Sequence, residues 1–268
     1  MSSLQSRVLV AVIGVPVLAW VVLWAPPIVM LVALALLAGI GAMELQKCVS
    51  GVKRSELVGL SGVCAVFTVT WYYGRPDSVA FLFLLEALIF FGYAIVKAGE
   101  VKFQQLMAGL FGSIAIGYSF AAFLRIDAMG THRAYLLLPF ILSFACDTFA
   151  YFAGRAFGKH KLAPKVSPKK TIEGSVGGIL GNIVCGLIFA FVMDTWFGGS
   201  IGYGSMVILA LACSIVAQVG DLSFSLIKRE FGIKDYGRLF LEHGGVLDRF
   251  DSVLFVTPVI EIILGFVK

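Results

Sequence analysis

Four aspartates lie in or at the edge of apolar stretches in the second half of the chain. Asp147 and Asp221 are each inside a long hydrophobic run, and Asp248 and Asp251 open the last run. Because Asp248 and Asp251 are three residues apart, a helix would place them on one face. Clustered carboxylates repel one another unless a positive charge lies among them, and Mg²⁺ is often held by one or two carboxylates together with substrate phosphates. The four aspartates therefore predict a site for a hard divalent cation.

A structural role for each aspartate is the alternative. Any one of them could cap a helix or pair with Arg155, Lys228 or Arg249. At 1.5 Å per helical residue, Asp147 would lie roughly 12 Å from Arg155 and Asp221 roughly 10 Å from Lys228. The aspartates thus approach one end of their helices at overlapping depths, which favours a shared metal site over separate structural roles.

A basic segment, SPKKTIEG, occupies 167–174. Lys169 and Lys170 could neutralise phosphates, and the hydroxyls of Ser167 and Thr171 could donate hydrogen bonds to them. Thr171 could also cap the helix that follows, whose N-terminus favours anions. The competing interpretation is a positive loop that contacts anionic lipid headgroups. The chain has no Walker A pattern, so this segment is not a P-loop.

The elements that carry these residues are predicted to be transmembrane helices. The chain is 59% hydrophobic and 14% charged, whereas a soluble domain carries about 25% charged residues. Nine apolar runs have the roughly 20-residue length of a spanning helix, and none shows the alternation of barrel strands. These runs lie near 7–24, 27–46, 56–73, 78–97, 103–124, 134–154, 175–197, 201–227 and 249–267.

The predicted fold is therefore an all-α polytopic membrane helix bundle with about nine transmembrane helices. Residues 1–130 are interpreted as N-terminal scaffold helices, because they carry few unusual polar residues. Residues 131–268 are interpreted as the catalytic region of the same membrane domain, with long basic loops at about 155–174 and 228–248. Charged residues inside membrane helices are costly and usually functional, which directs attention to this second region.

The distribution of basic residues predicts the orientation of the helices. Lys and Arg prefer short cytoplasmic loops. With a cytoplasmic N-terminus, every Lys and Arg falls in an inside segment except Arg75, Arg125, Arg133 and Lys268. We therefore expect a multi-pass protein of the cell (inner) membrane whose site faces the cytoplasm. The same clustering argues against nucleic acid as a partner, despite a net charge of +5.

Other polar and small residues receive structural interpretations. Gly174, Gly177, Gly178 and Gly181 have the spacing of closely packed membrane helices. The five cysteines show no CxxC pairing and are expected to be buried thiols. Glu44 and Glu261 are expected to reach an interface and Glu86 to pair inside the bundle, and none of the three is assigned a catalytic role.

The segment from Ser225 to Asp251 reads SLIKREFGIKDYGRLFLEHGGVLDRFD. It resembles the signature of the phosphatidate cytidylyltransferases, also called CDP-diacylglycerol synthases, and departs from it only at Leu241, where that family prefers Pro, Gly or Ser. The stretches SPKKTIEGSVGG, QVGDL and DTFAY with the following Gly154 and Arg155 resemble the same family. The resemblance covers the chain from about residue 147 to its end, whereas the N-terminal half matches only in being hydrophobic.

The resemblance implies a reaction in which CTP and phosphatidic acid give CDP-diacylglycerol and pyrophosphate, with Mg²⁺ as cofactor. On this hypothesis Asp221 and Asp248 hold the metal, and Asp251 and Asp147 support them. The phosphates would be contacted by Lys169, Lys170, Lys228, Arg229 and Arg249, with Ser167 and Thr171. The glycines of His243-Gly244-Gly245 would let the backbone approach a phosphate or the nucleotide.

Two alternatives from other classes stay open. A secondary transporter would use the buried aspartates to bind protons or cations, but would predict an inverted repeat that the sequence lacks. A cytidylyltransferase for another lipid phosphate would share the same motifs. The Asp-Gly-x-x-Ala-Arg motif of the CDP-alcohol phosphotransferases is missing. The expected partners are CTP, phosphatidic acid and membrane lipid, and a homodimer is left open.

Overall fold

The protein folds almost entirely into α-helices. The computed structural model describes residues 12, 14, 16–51, 55–75, 78–199, 201–240 and 244–267. The helices are α1 (16–23), α2 (Pro27–Ser50), α3 (Ser55–Gly74), α4 (Val79–Val96), α5 (Phe103–Phe111), a π-helical turn (Gly112–Ile116), α6 (Gly117–Ala128), a 3₁₀ turn (Arg133–Leu137), α7 (Leu138–Phe157), α8 (Ile172–Phe197), α9 (Tyr203–Glu230) and α10 (Leu247–Val267). Two short strands, β1 (Lys161–Ala163) and β2 (Ser167–Thr171), separate α7 from α8.

Eight helical segments in the described part of the chain are long and apolar enough to cross a membrane. They coincide with eight of the nine predicted spans; α5, the π-helical turn and α6 make one of them, and the 3₁₀ turn with α7 makes another. The remaining predicted span, 7–24, lies partly outside the described residues. The predicted all-α polytopic membrane fold is confirmed.

Local sequence explains several helix ends. Pro27 begins α2, a position where its fixed φ suits the helix and its missing N–H is not needed. Thr171 caps α8, because its side-chain oxygen accepts a hydrogen bond from the Gly174 N–H. Gly198 ends α8 in the left-handed conformation, with φ of 79°.

The chain divides into two compact units. The first comprises Met1–Arg125 with Glu230–Phe250, and the second comprises Ile126–Arg229 with Asp251–Lys268. The unit boundary falls within α10, whose first turn belongs to the first unit. The functional division into a scaffold (1–130) and a catalytic region (131–268) stays a prediction.

In the first unit, α2 packs along α3 and contacts α5 and the π-helical turn. Helix α4 is mostly exposed, and its buried residues Leu82, Glu86 and Phe90 form one stripe at four-residue spacing. The hydroxyls of Thr68 and Ser113 donate hydrogen bonds to the Glu86 carboxylate. The prediction that Glu86 pairs inside the bundle is thereby confirmed.

In the second unit, α7 packs along α8 through small residues. A Cβ at Gly177 would lie 2.2 Å from the Ala153 Cβ, and one at Gly181 would lie 2.1 Å from the Phe149 ring. The glycine spacing therefore serves close helix packing, as predicted. Within the described residues no cysteine forms a disulfide, and Cys64, Cys146 and Cys213 are buried, which agrees with the thiol interpretation.

The segment between α7 and α8 was expected to be a loop at about 155–174. The structure instead continues α7 to Phe157 and folds the connection into an antiparallel hairpin, with Lys161 opposite Thr171 and Ala163 opposite Ser167. The strands are short and rich in Lys and Pro, so neither shows the apolar alternation by which a strand is recognised. We call 158–171 the basic hairpin.

Candidate active site

A cavity of about 440 Å³ lies in the second unit, where α7, the basic hairpin, α8 and α9 meet. Its lining includes six residues predicted from sequence to act at the site, namely Asp147, Ser167, Lys169, Lys170, Thr171 and Asp221. Asp147 and Asp221 are more than 70 residues apart in the sequence. The fold therefore brings these six residues together.

Helix α7 lines the cavity with one face. Asp147, Tyr151 and Arg155 follow one another at four-residue spacing, which puts them on the same side of a helix. The Arg155 Nη1 lies 3.5 Å from the Tyr151 hydroxyl oxygen. Gly154 lets α8 approach here, because a Cβ at this position would lie 2.8 Å from the Thr171 Oγ1.

The basic hairpin forms another wall and is tied to the start of α8. The Glu173 carboxylate accepts the backbone N–H of Lys159 at 3.1 Å and that of His160 at 3.2 Å. It also lies 2.6 Å from the His160 Nδ1. These contacts close the base of the hairpin and so hold Lys169 and Lys170 against the cavity.

An ion pair joins the hairpin to α9, because the Lys170 ammonium contacts the Asp221 carboxylate. Lys170 also attracts the carboxylate of Asp147 electrostatically, whereas Asp221 repels it. The cations suggested as structural partners for single aspartates are Arg155, Lys228 and Arg249. The structure adds Lys170 as a further cation among the carboxylates.

Asp251, the first residue of α10 that belongs to the second unit, joins this charge cluster. Its carboxylate is repelled by Asp221 and Asp147 and attracted by Lys228. The two helices approach closely at this point, because a Cβ at Gly220 would lie 2.9 Å from the Asp251 carbonyl oxygen. The second unit therefore brings together three of the four predicted aspartates.

Arg229 lies at the end of α9 and contacts the hairpin rather than the cavity lining. Its Nε donates to the Val166 carbonyl oxygen at 3.4 Å. This bond supports the turn between β1 and β2. A direct phosphate contact by Arg229 stays a prediction.

The segment before α10, which contains Gly244 and Gly245, belongs to the first unit, and so do Asp248 and Arg249 in the first turn of α10. The Asp248 Oδ2 accepts the backbone N–H of Tyr236 at 2.8 Å and that of Gly245 at 2.9 Å. Gly244 has a φ of +85°, a conformation that a glycine adopts without steric cost. His243, a predicted binding residue, lies outside the described residues.

A family model described as the cytidylyltransferase family matches residues 5–267. The chain belongs to the cytidylyltransferase family. It is 33% identical over 265 residues to a phosphatidate cytidylyltransferase of Staphylococcus haemolyticus, covering 97% of this chain and 99% of the relative. It is 38% identical over 178 residues, 66% of each chain, to a phosphatidate cytidylyltransferase of Staphylococcus saprophyticus.

Membership of the cytidylyltransferase family confirms the resemblance inferred from the C-terminal motifs and makes the protein a nucleotidyltransferase enzyme. The family match also extends through the N-terminal half, where only hydrophobicity had been noted. The cavity of this cytidylyltransferase combines cations and carboxylates, as a site for a phosphate-bearing substrate requires.

The oxygen-rich donor set of the cytidylyltransferase fits Mg²⁺. In the part of the chain that the structure describes, no group of three or more His, Cys, Asp or Glu side chains is placed so that it could hold a metal ion. Mg²⁺ does not need such a group, since it usually keeps several waters and binds one or two carboxylates together with substrate phosphates. Asp147, Asp221 and Asp251 have carboxylates of the kind that Mg²⁺ prefers, and Mg²⁺ as the cofactor stays a prediction.

Sequence reasoning missed several polar residues of the cavity, among them Arg155, Ser175 and Gln218. The Gln218 side chain contacts the Ser175 hydroxyl and donates to the Ser214 carbonyl oxygen at 3.2 Å. Residues three or four positions apart on a helix share a face. Arg155 lies two such steps after Asp147, and Gln218 lies three residues before Asp221. Helical spacing from each aspartate therefore indicates Arg155 and Gln218 as candidate site residues.

The expectation that Glu44 reaches an interface is wrong. Its side chain is 5% exposed and lies in the first unit against the segment before α10. It accepts the backbone N–H groups of Val246 at 3.1 Å and Leu247 at 3.0 Å. An acidic residue at the end of an apolar helix resembles an interfacial anchor in sequence, and only the tertiary contact distinguishes the two.

Proposed function

We propose that the protein transfers the cytidylyl group of CTP to phosphatidic acid, giving CDP-diacylglycerol and pyrophosphate. The observation that carries the proposal is a cavity in which Lys169, Lys170 and Arg155 lie with Asp147 and Asp221 inside a bundle of apolar helices. The names of relatives that are 33% and 38% identical support the choice of the acceptor lipid.

The reaction joins two polyanions, so positive charge at the site is essential. A phosphate oxygen of phosphatidic acid attacks the α-phosphorus of CTP, and the bond from that phosphorus to the oxygen bridging to the β-phosphorus breaks. Pyrophosphate leaves with the bonding electrons. The attacking oxygen already carries negative charge at neutral pH, so no strong base is needed, and catalysis consists mainly of positioning and electrostatic stabilisation.

The residues of the cavity suit these tasks. Lys169 and Lys170 on the basic hairpin and Arg155 on α7 contact phosphate oxygens and stabilise the departing pyrophosphate. Ser167 and Thr171 donate hydrogen bonds, since the Thr171 oxygen that accepts the Gly174 N–H still carries its own proton. The predicted phosphate contacts of Lys228, Arg229 and Arg249 stay predictions from the sequence, because the cavity lining does not include these three residues.

Within the second unit, Asp221 and Asp251 are proposed to hold Mg²⁺, with Asp147 supporting them. The sequence-based assignment of Asp248 as a metal ligand stays a prediction. When bound, the ion would supply positive charge that offsets the negative charge of the CTP phosphates. Lys170 contacts the Asp221 carboxylate, so its ammonium lies beside the position that a phosphate near this aspartate would occupy.

The site is proposed to face the cytoplasm of a bacterial cell from the inner membrane. This orientation follows from the basic segments, because the hairpin and the end of α9 carry most of the Lys and Arg of the second region. CTP then arrives from the aqueous side and phosphatidic acid from the bilayer.

The direct test is incubation of the purified protein with CTP labelled at the α-phosphate. A panel of lipid phosphates and soluble phosphate esters serves as acceptors, with and without Mg²⁺. Label is expected in a lipid product only with phosphatidic acid and Mg²⁺, together with release of one pyrophosphate per product. Preferential labelling of a different lipid phosphate would show that this lipid, and not phosphatidic acid, is the acceptor. Absence of any labelled lipid would refute it.

A further inference from the structure

A buried carboxylate from α2 holds the start of α10 in the first unit. The two carboxylate oxygens of Glu44 accept the N–H groups of consecutive residues, Oε1 from Val246 and Oε2 from Leu247. The first N–H groups of a helix have no partner within the helix and carry partial positive charge. Glu44 therefore acts as a helix cap that comes from a different helix.

Glycines allow the chain to wrap closely around this carboxylate. A Cβ at Gly237 would lie 2.2 Å from the Glu44 Oε1, and one at Gly245 would lie at the same distance from the same atom. Neither position could carry a larger residue without moving the carboxylate. The two glycines and Glu44 thus form a matched contact within the first unit.

The turn that Glu44 holds is also the turn that carries Asp248. The Gly245 N–H donates to Asp248, while the next two N–H groups along the chain donate to Glu44. Successive amides are therefore shared between two carboxylates from different helices. Bonds to two adjacent amides restrict both the position of the turn and its rotation, and so they determine where the Asp248 side chain lies.

We propose that Glu44 is a positioning residue for cytidylyl transfer, which fixes the 244–247 turn and with it Asp248 and Arg249 on the first turn of α10. This inference rests on the proposed function. Glu44 acts through the backbone and touches neither substrate. Substitution of Glu44 should change how the rate depends on Mg²⁺ and on CTP. The reason is that the sequence assigns Asp248 to the metal and Arg249 to the phosphates.

The test compares Glu44→Gln with Glu86→Gln in the full-length protein. Glutamine keeps the size of Glu44 but has one acceptor oxygen, so one of the two amides faces an NH₂ group. Glu86 is equally buried in the same unit, but its partners are the Thr68 and Ser113 hydroxyls, which can accept as well as donate. Glu86→Gln therefore controls for loss of a buried carboxyl.

For Glu44→Gln we expect kcat/KM for CTP to fall roughly ten- to hundred-fold, the range for a lost hydrogen bond to a charged group. The Mg²⁺ concentration for half-maximal rate should rise. Hydrogen exchange of the peptide that spans 244–250 should accelerate, whereas Glu86→Gln should change none of the three. If Glu44→Gln does not fold, Glu44→Asp, which shortens the reach by one carbon, provides the same measurements.

A compensation test uses Gly237→Ala, whose added methyl would collide with the Glu44 carboxylate. It should lower activity in the wild-type background and have little further effect in a Glu44→Ala background. Unchanged CTP and Mg²⁺ dependence in Glu44→Gln, or a fall in kcat alone that parallels a loss of folded protein, would overturn the positioning role. Such a result would leave the proposed function intact, since wild-type turnover is measured in the same assay.

Discussion

Lys170 of the basic hairpin forms an ion pair with Asp221 of α9. The pair joins two motifs that lie far apart in the sequence, and it places a cation among carboxylates that would otherwise repel one another. It explains how Asp147 and Asp221 can share one cavity within an apolar bundle. The pair also links the basic hairpin to the aspartates, and substitutions can test the contribution of each residue.

Asp221→Asn is expected to lower the rate of CDP-lipid formation by roughly 100-fold or more, as removal of one group that stabilises transition-state charge does. The rate is measured with saturating CTP and phosphatidic acid. Asp127→Asn is the control, because it breaks another ion pair of the second unit, with Arg133 at 2.9 Å. Equal activity of both variants would remove Asp221 from the site.

The double variant Lys169→Ala/Lys170→Ala should raise KM for CTP roughly ten- to hundred-fold, since each side chain is proposed to form a charge-assisted hydrogen bond. The matched control is Lys161→Ala/Lys165→Ala, which removes the same charge from the same hairpin outside the cavity lining. The same KM for both double variants would indicate a general effect of charge and contradict a direct contact.

Removal of Mg²⁺ with a chelator should abolish turnover, and added Mg²⁺ should restore it. Asp251→Asn should shift the Mg²⁺ titration to higher concentration, because a neutral amide binds a hard cation less strongly than a carboxylate does. The initial rate as a function of free Mg²⁺ gives both results. Turnover that persists after chelation would exclude the proposed cofactor.

Glu173→Gln should loosen the base of the basic hairpin, because glutamine has one acceptor oxygen for the Lys159 and His160 amides. We expect KM for CTP to rise roughly 3- to 10-fold, in keeping with the loss of one or two hydrogen bonds. Hydrogen exchange at 158–163 should accelerate in parallel. His160→Ala is the milder comparison, since it leaves both backbone bonds in place. A faster exchange without any change in KM would separate the hairpin from nucleotide binding.

Gly177→Ala should destabilise the contact between α7 and α8 by about 1–3 kcal/mol, the usual cost of overpacking a close contact. The added methyl would lie 2.2 Å from the Ala153 Cβ. Gly204→Ala on α9 is the control, because nothing lies within 4 Å of its added methyl. Thermal unfolding in detergent should separate the two variants, and a Tm of Gly177→Ala at or above that of Gly204→Ala would contradict the packing interpretation.

The membrane fold and six of the residues that line the cavity could be predicted from the sequence alone. Apolar runs of spanning length are a local property, since each helix satisfies its own backbone hydrogen bonds and must match the bilayer by itself. The aspartates were recognisable for a related reason, because a charge in such a run is costly and requires an explanation. Asp147 and Asp221 were identified on this ground, and Lys169 and Lys170 by their density of charge.

The tertiary structure decided which of these groups meet. Lys170 of the basic hairpin pairs with Asp221 of α9, and Glu44 of α2 caps α10. Arg155 of α7 and Gln218 of α9 line one cavity. Each of these relationships joins elements that are separate in the sequence. No local pattern encodes them, because they depend on how side chains and glycines pack between helices rather than on the composition of any one helix. Glu44 is the clearest case, since its sequence context matches an interfacial residue while its amide partners lie some two hundred residues away.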